Sequence, residues 1–245
     1  MVSDSIKRNE SSSFSIVSSK SSAYYGLKRL IDFVLSLLAL IILTPIFIIV
    51  AIIIRLDTPG PIIFKQKRVG AKRIQRNGKH EWIRTSFTCY KFRTMYADAD
   101  AALHKKYIKA YINNDKKKMG ECQGEDTDVR KLIHDRRITK VGRILRKTSM
   151  DELPQFWNIF RGDMSLVGPR PAILYEVPLY KPWHLKRLQG KPGLTGLWQV
   201  KARSSTDFDE MVLLDLEYLQ NQSIWFDLII IMKTPFIVFS GKGAH

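Results

Sequence analysis

Histidine and cysteine are scarce in this chain, and the patterns that would make them ligands are missing. The five histidines show no H-x-x-x-H or other metal spacing. The two cysteines, Cys89 and Cys122, lack metal spacing too; they leave room for one disulfide, and nothing argues against a reducing compartment. There is no G-x-G-x-x-G and no G-x-x-x-x-G-K-[ST], so neither a dinucleotide-binding turn nor a P-loop is indicated. No internal repeat is present. Acid is the scarcer charge, with 23 Asp and Glu against 40 Lys and Arg and a net charge of +17 over 245 residues.

What is present is unevenly placed. Residues 65–147 hold 24 Lys or Arg and 9 Asp or Glu, a net of +15. Such a block suits nucleic acid, an anionic membrane face or a phosphate-rich substrate, while any single lysine in it reads equally well as a solvated surface residue. Apolar residues make up 45% of the chain, enough for a core in one domain or two.

Residues 33–54, FVLSLLALIILTPIFIIVAIII, carry no charge. As a helix they would reach about 33 Å, enough to cross a bilayer. The run is too long for a signal-peptide core and no small-residue cleavage site follows it, so it is expected to be retained. Thr44 and Pro45 interrupt its middle, where proline removes a backbone donor. Both flanks are basic: Lys28 and Arg29 before, and Arg55, Lys65, Lys67 and Arg68 after. The positive-inside tendency places both on one side. Entry, a break and exit by the same face satisfies these features; a kinked spanning helix remains the alternative.

Residues 1–25 are serine-rich and aperiodic and are expected to be a disordered tail. A membrane segment is expected over 26–56 and a catalytic domain over 57–240. "IIFKQKRVG" (62–70) and "TSFTCYKFRTM" (85–95) read as short strands around a basic loop, which a hairpin would join, and residues 97–137 as mostly helical and polar with a lysine-rich middle. "ITKVGRILRKTS" (138–149) reads as a short basic helix. The Gly- and Pro-punctuated stretches 163–172 and 190–200 read as ordered loops, and 206–222 has helical apolar spacing. The run 224–239 is interrupted by Asp227, Lys233 and Pro235; it suits either a membrane-surface helix or a core helix.

Within "TSMDELPQFWN" (148–158), Asp151 and Glu152 stand side by side just after a basic run. Ser149 and Glu152 have the spacing of a capping box, a purely structural reading. A helix starting near Pro154 is less strained, and it sets both carboxylates at a positive helix end. Neighbouring Arg143, Arg146 and Lys147 would keep them ionised, as a nucleophile requires. In "GPRP", Pro169 and Pro171 stiffen the backbone around Arg170, which suits a phosphate or a flat base, though a plain turn explains the string as well. Three D-x-D pairs, Asp98-Asp100, Asp126-Asp128 and Asp207-Asp209, have the form that holds metal–nucleotide in many sugar transferases, but the pattern is short enough to arise by chance.

Taken in order, "KRLIDFVLSLLALIILTPIF", "PIIFKQKRVG", "YKFRTM", "ITKVGRILRKTSMDELPQFWNIFRGDMSLVGPRP", "KPGLTGLWQV" with Arg203, and "DLEYLQNQSIWFDLIIIMKT" resemble the bacterial sugar transferases, the monotopic phosphoglycosyl transferases. The match runs from residue 28 to 234, and its long central string is highly specific. The resemblance implies an α+β, mainly helical fold. Its parts are a re-entrant helix broken at Thr44-Pro45, a cytoplasmic catalytic domain with a small β element, and amphipathic interfacial helices. It implies transfer of a sugar phosphate from a UDP-sugar to polyprenyl phosphate, releasing UMP, as the first membrane step of a surface glycan. It further implies Mg2+, an anionic bilayer as partner, no nucleic acid, and the inner face of the bacterial cytoplasmic membrane. Carried over by position, Asp151 is the nucleophile and Glu152 its partner in metal or proton handling. Arg146, Arg170 and Arg203 surround phosphates and nucleotide, with Pro169 and Pro171 framing Arg170. The aromatic pair Phe156-Trp157 is expected to pack its helix against the membrane-proximal core.

Two departures stand out. Lys201-Ala202-Arg203 replaces the S-G-R common in the family, and 97–137 is longer and richer in lysine than in the smallest members, with no role assigned. The extra spanning helices at the front of larger members are not seen. Sugar, pathway and oligomeric state are open, a homo-oligomer included. Two competing readings stand beside this one: a D-x-D glycosyltransferase that releases UDP, and a membrane-tethered basic protein without turnover.

Overall fold

A computed structural model describes residues 20–98, 100, 102–123, 135, 137–202 and 206–239. The Ser21 hydroxyl accepts from the Tyr24 N–H at 3.2 Å and opens α1, Ser22–Ile42. Helix therefore replaces the last four residues of the expected tail; residues 1–19 lie outside the described set. Beyond Leu43 the chain continues as α2, Thr44–Asp57, bent 59° from α1. The cause is local. Pro45 has no N–H to bond back into the preceding turn, and the Thr44 hydroxyl donates instead to the Leu40 carbonyl at 2.7 Å. Among the described residues no single helix is long and apolar enough to cross a membrane, whereas the bent pair is so when taken together.

The two helices leave Leu38, Ile41, Ile42, Ile49, Ile52 and Leu56 exposed. Val50 and Ile54 are buried and pack with Phe92 and Leu145. The first turns of α1 behave differently, because polar bonds tie them to the rest of the chain. Arg29 donates to the Ile159 and Phe160 carbonyls at 2.7 and 2.6 Å. Asp32 accepts from the Leu166 N–H at 2.9 Å, and Lys28 pairs with Asp227 at 2.7 Å. Tyr218 adds its hydroxyl to Asp227 at 2.7 Å.

The expected short strands and basic loop are one long antiparallel hairpin, β1 (Ile63–Arg76) and β2 (Lys79–Phe92). Asn77 and Gly78, with φ of 50° and 73°, turn it in the left-handed pair of conformations that two-residue hairpins favour. Only its base is buried, through Arg68, Val69, Ala71, Phe87, Cys89 and Phe92; the tip is solvated, which is why its sequence lacks apolar alternation. Both cysteines are free.

Past the hairpin come α3 (Ala102–Ile112), α4 (Lys116–Gln123) and α5 (Lys140–Lys147). The Thr139 hydroxyl accepts from Gly142 N–H at 2.9 Å and caps α5. Gly142 lies so close to the strand end that a Cβ there would sit 2.1 Å from the Thr94 carbonyl oxygen. Then follow α6 (Gln155–Arg161), β3 (Ser165–Val167) and β4 (Gly193–Thr195), the two strands pairing in parallel. The two Gly/Pro-punctuated stretches are thus hydrogen-bonded neighbours rather than separate loops. The second ends as helix: α7, Leu197–Lys201, occupies the expected loop residues 197–200. Helix α8, Phe208–Asn221, is capped by the Asp207 carboxylate, which accepts from Glu210 N–H at 2.8 Å.

The last helix, α9 (Ile224–Phe239), resolves its two readings by face. Asp227 and Ile230 are buried in the body, while Trp225, Leu228, Met232 and Phe236 are exposed at helical spacing. Ile159, Met164, Val167, Tyr218, Leu219 and Ile230 form the centre of the main core, so α6, β3, α8 and α9 converge there.

Candidate active site

Helix α5 ends at Thr148, and Ser149 takes a left-handed conformation, φ 56° and ψ 16°. This turn throws Met150–Glu152 into a single 3-10 turn. The capping box does not form: Glu152 N–H bonds the Ser149 carbonyl at 3.2 Å, no side-chain bond caps the turn, and the Glu152 carboxylate points elsewhere. Pro154 stands at the N-cap of α6, so both carboxylates lie just outside a helix start, as the sequence led one to expect.

What faces the dyad comes from β2. Lys91 Nζ lies 2.6 Å from Glu152 Oε1 and 3.7 Å from Asp151 Oδ2. Asp151 is only 8% exposed. Burial pushes its carboxyl above the usual range, the Glu152 charge adds to this, and Lys91 and Arg146 oppose it. Glu152 goes the other way, because Lys91, Arg170 and Arg68 outweigh its burial and hold it low. Burial alone would lower the Lys91 ammonium, but the two carboxylates raise it. The adjacent carboxylates are thereby driven apart: Glu152 is the fixed anion and Asp151 the more basic oxygen. Of the basic run expected to keep the pair ionised, Arg146 acts on Asp151, and Lys91 of β2 joins it.

The hairpin register puts Lys91 opposite Phe64, Cys89 opposite Gln66, and Phe87 opposite Arg68, so Lys91, Cys89 and Arg68 share one face. Arg68 is buried and donates to the Pro171 carbonyl at 2.7 Å, while its neighbour Val69 N–H bonds the Ala172 carbonyl at 2.8 Å. The hairpin thus holds the 169–172 loop against the dyad. Asn158, fully buried on α6, locks the other side: its Oδ1 accepts from Tyr90 N–H at 3.0 Å and its Nδ2 donates to the Thr88 carbonyl at 2.7 Å.

Of the residues singled out in the sequence, Arg146 donates to Thr94 Oγ1 at 2.9 Å and acts on Asp151. Arg170 is exposed, 5.9 Å from the Trp198 ring centroid, and acts on Glu152. Pro169 and Pro171 are buried; the Pro169 carbonyl accepts from Gly193 N–H at 2.9 Å. Arg203 lies outside the described residues. Phe156 packs against the core, but Trp157 does not: it is 46% exposed and stacks on Phe160, which stacks on Phe33 of α1. Sequence reasoning missed Lys91 and Arg68. Their signal was the strand pairing itself, since Lys65 and Lys67 on the same strand are exposed and fit the solvated reading.

The D-x-D pairs have other work. Asp98 is exposed; Asp100 accepts from Ala102 N–H at 2.8 Å at the start of α3. Asp207 caps α8, and Asp209 pairs with Lys181 and His184, both at 2.9 Å. Asp126 and Asp128 lie outside the described residues. No group of three or more His, Cys, Asp or Glu side chains gathers as a metal cage among the described residues. Two adjacent carboxylates beside clustered cations instead fit a cation that takes most of its oxygens from a bound phosphate, as Mg2+ does.

A buried carboxylate of raised basicity, a fixed anion beside it and the positive field of Lys91, Arg68, Arg146 and Arg170 are features that phosphoryl chemistry uses. Comparison with known proteins identifies the family. The bacterial sugar transferase family model matches residues 23–241, and the chain belongs to that family. It is 42% identical over 218 residues to the galactosyl transferase CpsE of Streptococcus agalactiae, covering 89% of this chain and 43% of that one. It is 41% identical over 219 residues to the undecaprenyl-phosphate galactose phosphotransferase of Salmonella typhimurium, covering 89% and 42%. Against the exopolysaccharide production protein ExoY of Rhizobium meliloti the identity is 37% over 218 residues, covering 89% and 88%. The chain therefore spans less than half the length of the first two and most of the third.

Proposed function

We propose that this protein moves a sugar phosphate from a UDP-sugar to undecaprenyl phosphate, giving undecaprenyl-diphosphate-sugar and UMP at the start of surface polysaccharide synthesis. The observation that carries the reading is the dyad itself: a buried Asp151 beside Glu152, with Lys91 bridging both. An Asp151 carboxylate oxygen bonds to the β-phosphorus while the bond from that phosphorus to the α,β-bridging oxygen breaks, and UMP leaves with the electron pair. A phosphate oxygen of the polyprenyl phosphate then attacks the same phosphorus, and Asp151 departs as carboxylate. Two steps replace one direct encounter between polyanions. Lys91, Arg68, Arg146 and Arg170 offset the negative charge that builds on the phosphoryl oxygens. Mg2+, held by Glu152 and Asp151 together with diphosphate oxygens, would supply further neutralisation there.

The same reading places the catalytic body on the cytoplasmic face of the bacterial inner membrane, with α1 and α2 as a re-entrant anchor. Support comes from where the pair is tied down. At the α1 start, Arg29 binds the end of α6. At the α2 end, Arg93 donates to the Thr58 carbonyl at 2.6 Å. Both ends are fixed to one folded body, which occupies one side of a bilayer.

Mass spectrometry of enzyme trapped with a UDP-sugar is expected to show a phosphosugar adduct on Asp151. Asp151→Asn is expected to lower UMP release by about 10³-fold or more while leaving fold and membrane binding intact. A variant with near-normal turnover would remove Asp151 as nucleophile.

A further inference from the structure

Helix α3 belongs to the lysine-rich stretch that neither composition nor family resemblance explains. One side chain on it meets the chain just beyond the 169–172 loop. His104 Nδ1 lies 2.5 Å from the Tyr175 hydroxyl, with the two rings edge to face at 6.2 Å. Tyr175 follows the 169–172 loop by only three residues, and that loop is fixed by Arg68 and by an antiparallel bridge between Arg68 and Ile173. His104 also stands in the field of Arg170, Arg137, Arg68 and Arg146. Three of these, Arg170, Arg68 and Arg146, are the arginines that act on Glu152 or Asp151. Arg68 links the dyad to the His104–Tyr175 pair: it bridges Ile173, two residues before Tyr175, and shares its hairpin face with Lys91, which contacts Glu152.

The pair differs from these arginines in being neutral. Burial and the surrounding arginines push the imidazole down to about 4, and burial with the Glu176 charge pushes the tyrosine up to about 12. Nδ1 and the tyrosine hydroxyl share one hydrogen bond, and Nε2 has no partner among the described residues. Both side chains are half-buried rather than sealed. Phosphates are already served by four cations and gain little from a neutral imidazole. A sugar ring offers hydroxyls that both donate and accept, and neutral donor–acceptor groups match them.

We propose that His104 and Tyr175 hydrogen-bond the sugar of the nucleotide-sugar donor and set which sugar the enzyme accepts. This inference rests on the transferase reading above and gives α3 its role, as the wall of the sugar subsite. Sites that hydrogen-bond a substrate hydroxyl discriminate strongly against donors that place it differently.

The test is UMP release by the full-length enzyme in lipid or detergent, with undecaprenyl phosphate and a panel of UDP-hexoses and UDP-N-acetylhexosamines. His104→Ala and the isosteric Tyr175→Phe are each expected to change the kcat/KM ratio between the preferred donor and its C4 epimer by about tenfold or more. Inhibition by UMP, which lacks the sugar, should shift less than twofold. Equal losses on every donor, weaker UMP inhibition in step with the loss, or unchanged ratios would each overturn the assignment. Tyr175→Phe keeps the ring volume and decides the matter if His104→Ala does not fold. Failure of the wild-type enzyme to release UMP from any donor would overturn the proposed function itself, and this inference with it.

Discussion

The surroundings of Asp151 and the bent pair of α1 and α2 handle water in opposite ways. In the folded body, buried or half-buried charges are paired: Lys91 lies between Asp151 and Glu152, and Arg187 meets Asp215 at 2.5 Å. On the helix pair, large apolar side chains stand exposed, with Ile42 at 70% and Leu56 at 81%. Exposed apolar side chains in this number are what the proposed membrane anchor would present to an apolar phase. Buried charge is tolerated only where the pairing is good. The first turns of α1 join the two regimes, since Lys28, Arg29 and Asp32 bond to the body before the helix turns wholly apolar. The helix pair is therefore a continuation of the folded body and not a tether attached to it.

That contrast can be strained from the polar side first. Arg187 and Asp215 are 2% and 1% exposed, and Arg187 also donates to the Arg170 carbonyl at 3.3 Å. Arg187→Leu strands a buried carboxylate that burial already pushes up to about 6, and is expected to cost about 3–5 kcal/mol in unfolding experiments. Replacing both partners by leucine should recover most of it; a loss under about 1 kcal/mol in the single variant would show that the pair is not what holds this region.

Lys91→Met comes next and reads out in catalysis. It removes the main cation opposing proton uptake by Asp151. With that cation gone the protonated form is favoured, so the acid limb of the kcat/KM profile should move to higher pH, alongside a fall in turnover of about 10²-fold. An unmoved limb would detach Lys91 from the titration of the dyad.

The smallest effect is expected on the apolar side. Pro45→Ala restores a backbone donor and should straighten the helix pair toward a span, with little change in the stability of the rest of the fold. Cysteine substitution at Ser3 followed by labelling from the periplasm checks this: new accessibility supports the re-entrant anchor, and an unchanged side counts against it.

Much of this was legible along the chain. The break at Thr44-Pro45, the basic helix before the dyad and the helix after Pro154 all follow from residues within a few positions of each other. The hairpin was half-legible. Asn77-Gly78 is a strong turn signal, but the strands beside it are solvated, and a basic stretch without alternation reads as loop. Helix α9 could not be assigned to core or surface because it serves both, a division invisible to composition.

By itself the sequence determined what depends on near neighbours: caps, bends, helix starts, and the pairing of two carboxylates beside a basic run. Only the tertiary structure decided which cations those carboxylates meet. Lys91 lies 61 positions from Glu152, Arg29 lies 130 from the Ile159 carbonyl it holds, and His104 lies 71 from Tyr175. Attraction between charges and the cost of removing them from water depend on distance and burial in space. Separation along the chain carries neither, so the division of Asp151 from Glu152 into a more basic oxygen and a fixed anion exists only once the hairpin is folded against them.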